Sequence, residues 1–196
     1  MKYHILTPFN REENKKPLLE NFKRPNVVFH PLIDRPIEFP KEAWIKPFSF
    51  KRGPGIKNIA FHAWDKYFDS GKLIDDDYYL FISDDDFLEP DFFKKIEDIN
   101  TDVILVSMKR GDNVTAARYG TETLIPRWHL LQRSRIGTEQ LIAKGKILKN
   151  ERFRDLYNAD GLFIGTLHRK NPHQNFTFKT DAYIWFNYLE PGRWNK

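Results

Sequence analysis

Three consecutive carboxylates, Asp84, Asp85 and Asp86, stand one residue beyond the apolar run Tyr78-Tyr79-Leu80-Phe81-Ile82. A run of that composition reads as a strand covered on both faces. Ligands of open α/β sheets bind in the crevice beyond the carboxyl ends of such strands, so the acids stand where chemistry is expected. With strand geometry continued to Asp86, Asp84 and Asp86 would share one face and Asp85 would take the other. Two like charges about 4 Å apart cost on the order of 4 kcal/mol at an effective dielectric near 20, so such a pair either shifts a pKa or holds a cation. An all-oxygen site with few protein ligands suits Mg2+ or Mn2+, completed by water and substrate phosphates. The same three residues also suit a turn that caps the following helix.

Charge alone leaves both uses open. Between Asp75 and Asp91 there are eight acids and no Lys or Arg. The whole chain of 196 residues has 27 acids against 32 Lys and Arg, a net charge of +5, so the remainder is strongly basic. An acidic spot in a basic body suits a cation bridging to an anionic ligand, such as a nucleotide diphosphate, better than simple coating of nucleic acid. Solvated loop acids give the same composition. The chain has no Cys, which excludes disulfides, thiolate zinc sites and cysteine nucleophiles. Any metal is therefore held by oxygen or imidazole.

Other motifs fail on the same residues. An EF-hand loop needs a ligand and then a glycine where Leu88 and Glu89 stand. There is no Gly-x-x-x-x-Gly-Lys-Ser/Thr run, Gly53-Pro54-Gly55 lacks dinucleotide spacing, and no Ser lies in Gly-x-Ser-x-Gly. These absences disfavour kinase, ATPase, dehydrogenase and serine hydrolase chemistry.

The elements that must position the acids alternate. Tyr3 to Leu6 reads as a strand, Glu12 to Phe22 as a helix, and Val27 to Phe29 as a second strand before a Pro-rich stretch. Ile59, Ala60, Ala63, Trp64 and Tyr67 form one apolar helical face between Ile56 and Ser70, with Gly71 as the stop. Glu89-Pro90 opens another helix, and Asp102 to Ser107 is the next strand. This order predicts an α/β architecture, a central, largely parallel mixed sheet flanked by helices. Beyond Lys109 the pattern loosens: Ile136 to Leu148 reads as helix and strand, Leu162 to Leu167 as a strand, and Tyr183 to Tyr188 as an aromatic strand. No linker divides the chain, so residues 1–196 are expected to form one domain.

The stretches Lys57-Asn58-Ile59-Ala60, Ala63-Trp64 and Tyr79 through Asp91, with the opening Ile5-Leu6-Thr7-Pro8-Phe9-Asn10-Arg11, resemble the core of GT-A fold glycosyltransferases, family 2-like enzymes in particular. The resemblance covers about the first 110 residues. It implies a single-domain GT-A fold, with residues 1–110 holding a nucleotide-sugar donor and 111–196 an acceptor. It also implies transfer of a sugar from a nucleotide diphosphate, a uridine-linked one leading, to an acceptor hydroxyl, with Mn2+ or Mg2+ between the acids and the diphosphate. By position, Thr7, Pro8, Phe9 and Arg11 would border the base and diphosphate, Asp34 the base or ribose, and Lys57 the phosphates. Asp84 would lean to the ribose and Asp86 to the metal; alignment on Phe87-Leu88-Glu89-Pro90 puts Asp85 in the metal position instead.

In the second half, Tyr157-Asn158-Ala159-Asp160-Gly161 resembles the segment that supplies the base of inverting enzymes, which makes Asp160 the candidate. The family often has two adjacent acids there, whereas Ala159 precedes Asp160. His168 and His173 are candidates for a further metal ligand, and each also suits a plain surface position. Trp185, Tyr188, Trp194 and Trp128 are candidate sugar platforms or packing residues. The basic zone from Arg133 to Arg154 reads as a solvated face that could receive an anionic acceptor or rest on acidic lipid.

Two other classes compete: a nucleic-acid binder or metal nuclease, and a non-catalytic sugar-binding protein on the same fold. Interspersed acids argue against the first. No apolar run approaches the roughly 20 residues of a membrane span, and Met1 to Leu6 is too short for a signal peptide, so the expectation is a cytoplasmic protein.

Overall fold

The computed structural model describes residues 1–53, 58–110, 122–127, 136–153, 159–171 and 175–186. Among them run nine strands: β1 (Tyr3–Pro8), β2 (Val27–Ile33), β3 (Phe48–Ser49), β4 (Tyr78–Phe81), β5 (Phe87–Leu88), β6 (Val103–Arg110), β7 (Glu122–Leu124), β8 (Leu141–Lys144) and β9 (Phe176–Phe186). The helices are α1 (Lys15–Phe22), α2 (Ile59–Asp69), α3 (Phe92–Ile96), α4 (Gly145–Leu148) and α5 (Ala159–Lys170), with 3-10 turns at Glu12–Asn14 and Thr138–Gln140.

All nine strands join one sheet in the order β3-β2-β1-β4-β8-β6-β9-β5, with β7 also on β6. The block β3 to β4 is parallel, β8 runs antiparallel to both β4 and β6, and β9 returns parallel to β6. The sheet is thus mixed around a parallel centre. Alternation along the central strands explains why both faces are covered. Tyr3, Ile5, Tyr78 and Leu80 enter the layer that holds Phe22, Phe29 and Phe92. Leu6, Tyr79 and Phe81 enter the opposite layer, with Trp64, Phe153 and Phe163. Every residue of β4 is buried, as its uniformly apolar sequence requires.

Helix α2 follows its sequence closely. The Asn58 side chain accepts the amides of Ala60 (3.0 Å) and Phe61 (3.2 Å) as an N-cap. Ala63, Trp64, Tyr67 and Phe68 are its buried face. The chain turns away at Gly71 with φ +70°, a conformation that glycine adopts without steric cost.

Two expectations are corrected. Residues Leu162 to Leu167 are helical, inside α5, rather than a strand. Phe163, Ile164 and Leu167 are buried at helical spacing, and Thr166 Oγ1 donates to the Leu162 carbonyl four residues back. Nor does strand geometry reach Asp86: β4 ends at Phe81 and Asp86 N–H bonds the Ser83 carbonyl (3.2 Å), closing a tight turn. The three acids are therefore not distributed on alternate faces.

Candidate active site

A cleft of about 590 Å3 opens at the carboxyl ends of β1 and β4. The β1 end contributes Pro8, Asn10 and Arg11, and the amino end of α2 contributes Asn58, Phe61 and Trp64. The acidic turn contributes Ser83, Asp84 and Asp85, while Thr138, Glu139 and Asp160 close the far side. Trp64 is fixed because its indole N–H donates to the Leu6 carbonyl (3.1 Å).

Asp84 organises this end of the sheet. Its Oδ2 accepts the backbone amides of Asn10 (2.6 Å) and Arg11 (2.8 Å), and its Oδ1 takes the Arg11 guanidinium (2.7 Å). Asn14 holds the same residue from behind, donating to the Asp84 carbonyl (2.8 Å). The same Arg11 Nη1 lies 2.9 Å from Asp85 Oδ2. The repulsion between neighbouring carboxylates is thus answered by a cation of the chain itself. Both acids are 7% exposed and Arg11 is 37% exposed, so the charge cluster is recessed with its cation at the mouth.

Asp86 points elsewhere. It is fully buried, it does not line the cleft, and its Oδ2 accepts the Ser83 amide (3.2 Å). Of the other sequence candidates, Pro8 and Arg11 line the cleft, whereas Thr7 and Phe9 are buried behind it, Phe9 edge-on to Phe39. Asp34 follows β2 and lines a separate depression with Arg35 and Ser49. His168 lies eight residues along α5 from Asp160, about 12 Å by helical rise, with its ring against Phe176. Lys57, His173, Trp128, Tyr188 and Trp194 fall outside the described residues. Several of the basic residues face acids: Lys144 and Lys146 bind Asp102 (3.2 and 2.8 Å), and Arg152 binds Asp69 (2.8 Å).

Asp160 stands in the first turn of α5, where the helix dipole favours a carboxylate, and its Oδ1 accepts the Gly161 amide (2.7 Å). The same cleft is lined by a carboxylate that sequence reasoning passed over, Glu139. The turn that carries it is anchored by Gln140, whose amide donates to the carbonyls of Val106 and Leu124 (both 3.0 Å) and accepts from Gly137 N–H (3.2 Å). A Cβ at Gly137 would stand 3.1 Å from Glu139 Oε2, so the missing side chain makes room for that carboxylate. The weak local signal was the Gly-Thr-Glu-Gln run itself, whose meaning depends on long-range bonds.

For a divalent ion, the donor set is limited. Among the described residues no three His, Asp or Glu side chains are grouped to hold a metal. A Mg2+ or Mn2+ ion that keeps waters and takes phosphate oxygens needs only one or two carboxylates. Asp85, with Asp84 beside it, fits that lesser requirement, and Asp86 as placed does not.

No family model and no curated protein matches the chain in sequence. Among solved structures, the chain is similar to a crystal structure of Staphylococcus aureus TarS, residues 1–349, in complex with UDP. The TM-score is 0.54 at 12% identity, over 94% of this chain and 60% of that one. The likeness is one of fold: the chain has a GT-A-like α/β fold and spans about 60% of the TarS chain it matches. No helix among the described residues is long and apolar enough to cross a membrane.

Proposed function

We propose that this protein is a glycosyltransferase that takes a sugar from a nucleoside diphosphate, UDP by preference, and passes it to an acceptor hydroxyl. The observation that carries the reading is the convergence of Arg11, Asp85 and Asp160 on one cleft at the carboxyl ends of β1 and β4. UDP in the similarly folded TarS supports the choice of nucleotide. Pro8, Asn10 and Arg11 border the nucleotide, and the Arg11 guanidinium answers the diphosphate charge. Asp160 takes the proton from the acceptor hydroxyl as it attacks the sugar carbon, with inversion. Mn2+ or Mg2+, held by Asp85 and the diphosphate oxygens, would neutralise charge on the departing nucleotide.

Calorimetry of UDP with and without Mn2+ tests the donor half. Specific binding strengthened by Mn2+, and weakened at least about tenfold in Asp85→Asn, is expected. Equal affinity in parent and variant would remove Asp85 from the site. Turnover of a nucleotide-sugar panel then separates a transferase from a protein that only binds sugar.

A further inference from the structure

A second cavity of about 580 Å3 lies at the other end of the sheet, by the amino ends of β1 and β4. Its volume falls in the usual range of small-molecule sites, about 300–1,000 Å3. One wall is a chain of buried polar groups. His4 Nε2 lies 3.0 Å from Asp77 Oδ2, His4 Nδ1 lies 2.9 Å from His30 Nε2, and the Tyr67 hydroxyl lies 3.4 Å from the His30 ring nitrogens. The main-chain amide of Lys2 donates to the other Asp77 oxygen (2.7 Å).

The Asp77 carboxylate, an acceptor only, orders the protons from its end of the chain. Asp77 accepts from His4 Nε2–H, which leaves His4 Nδ1 as the acceptor of His30 Nε2–H. Burial, reinforced by His4 and by the charges of Lys72 and Lys46 and opposed by a main-chain hydrogen bond at Lys46, lowers the His30 pKa to about 3, so its ring is neutral. The His30 ring and the Tyr67 hydroxyl, 3.4 Å apart, form the polar part of the cavity lining. Asp77, the acid of the lining, is turned to His4 and the Lys2 amide.

The rest of the lining is of opposite character. Lys2, Lys46 and Lys72 surround the mouth, and none forms a salt bridge among the described residues. The Lys72 ammonium sits 5.0 Å over the Phe48 ring, which keeps it at the opening. Val28, Pro47 and Ile74 complete an apolar side. Three cations without an acidic partner among the described residues, beside an apolar wall and a neutral hydroxyl–imidazole pair, match a ligand with one anionic head and a hydrophobic body.

We propose that this cavity is a binding site for a small organic anion, a phosphate or carboxylate on an apolar or aromatic group, separate from the cleft. Its head meets Lys46 and Lys72 and its body lies on Phe48 and Val28. The site shares α2 with the cleft, since Tyr67 lines one and Trp64 the other.

Calorimetry on the full chain at pH 7.5 tests this with phenyl phosphate, benzoate, inorganic phosphate and benzyl alcohol. Phenyl phosphate or benzoate should bind and shift the ring proton signals of His4 and His30. The exposed pair Lys46→Ala/Lys72→Ala should weaken that binding at least about tenfold, as two cation contacts are lost, with UDP affinity unchanged. No binding of either aromatic anion, or equal binding by the double variant, overturns the proposal. Inorganic phosphate as strong as phenyl phosphate, or benzyl alcohol as strong as either, removes the apolar wall or the charge from it. None of these results depends on whether the cleft transfers a sugar.

Discussion

At the scale of single residues, the three adjacent aspartates have three different fates. Asp84 clamps the β1 end through two main-chain amides and Arg11, Asp85 faces the cleft, and Asp86 is buried on the Ser83 amide. Their substitutions should therefore separate. Asp84→Ala leaves recessed donors unpaired and is expected to cost about 3 kcal/mol in urea denaturation. Asp85→Asn should cost less than that, because the isosteric amide keeps the packing and its Arg11 partner is part-exposed. Equal losses would mean that the two side chains share one role. The buried histidines make a second residue-scale prediction. Burial depresses His4, with Asp77 opposing, and His30 is held at about 3 against 6.5 in the open chain. Between those values the unfolded chain binds protons that the folded one refuses, so stability falls as pH drops below about 6.5. Asp65, raised by burial from 3.8 to about 6, works in the other direction over its own window. Urea midpoints between pH 7.5 and 5 should fall less steeply in His30→Gln than in the parent, and identical slopes would discount the histidine pair.

At the scale of elements, what was legible depended on whether local pattern and final environment agree. Helix α2 could be read because its apolar face and Gly71 point to the same helix, and β4 because nothing in it is polar enough to face water. Helix α5 was misread as a strand because Leu162-Phe163-Ile164 is an apolar triplet that either period accommodates. The deciding contacts, such as Phe163 stacked on Phe68 at 6.5 Å between ring centroids, come from a distant part of the chain. The turn after β4 stayed one of two readings for a related reason: alternation says nothing about where a strand stops. The correction to α5 sharpens the role of Asp160, which now sits at a helix start rather than in a turn before a strand. Asp160→Asn should leave UDP binding intact and slow transfer by at least about a hundredfold. Single-turnover measurements check this, and full activity in the variant would take Asp160 out of the chemistry.

At the scale of the whole molecule, the two sequence halves are interleaved. Strand β8 from the second half lies between β4 and β6 of the first, and β9 pairs with both β6 and β5. No local periodicity announces which strands will be neighbours, so this insertion could not be read from the residues. It predicts that a fragment of residues 1–110 does not fold by itself, since β4 and β6 would each expose an apolar edge in place of β8. Circular dichroism in a urea series should show no cooperative transition for that fragment, whereas a sharp one would establish the first half as an independent unit.

The late position of β9 also bears on how the protein is born. Synthesis releases the amino-terminal part first, so the acidic turn is outside the ribosome well before residues 176–186 arrive to close the sheet beside it. Messages truncated anywhere upstream of that strand then yield no partially working product, only a chain with its hydrophobic layers open and a claim on the chaperones.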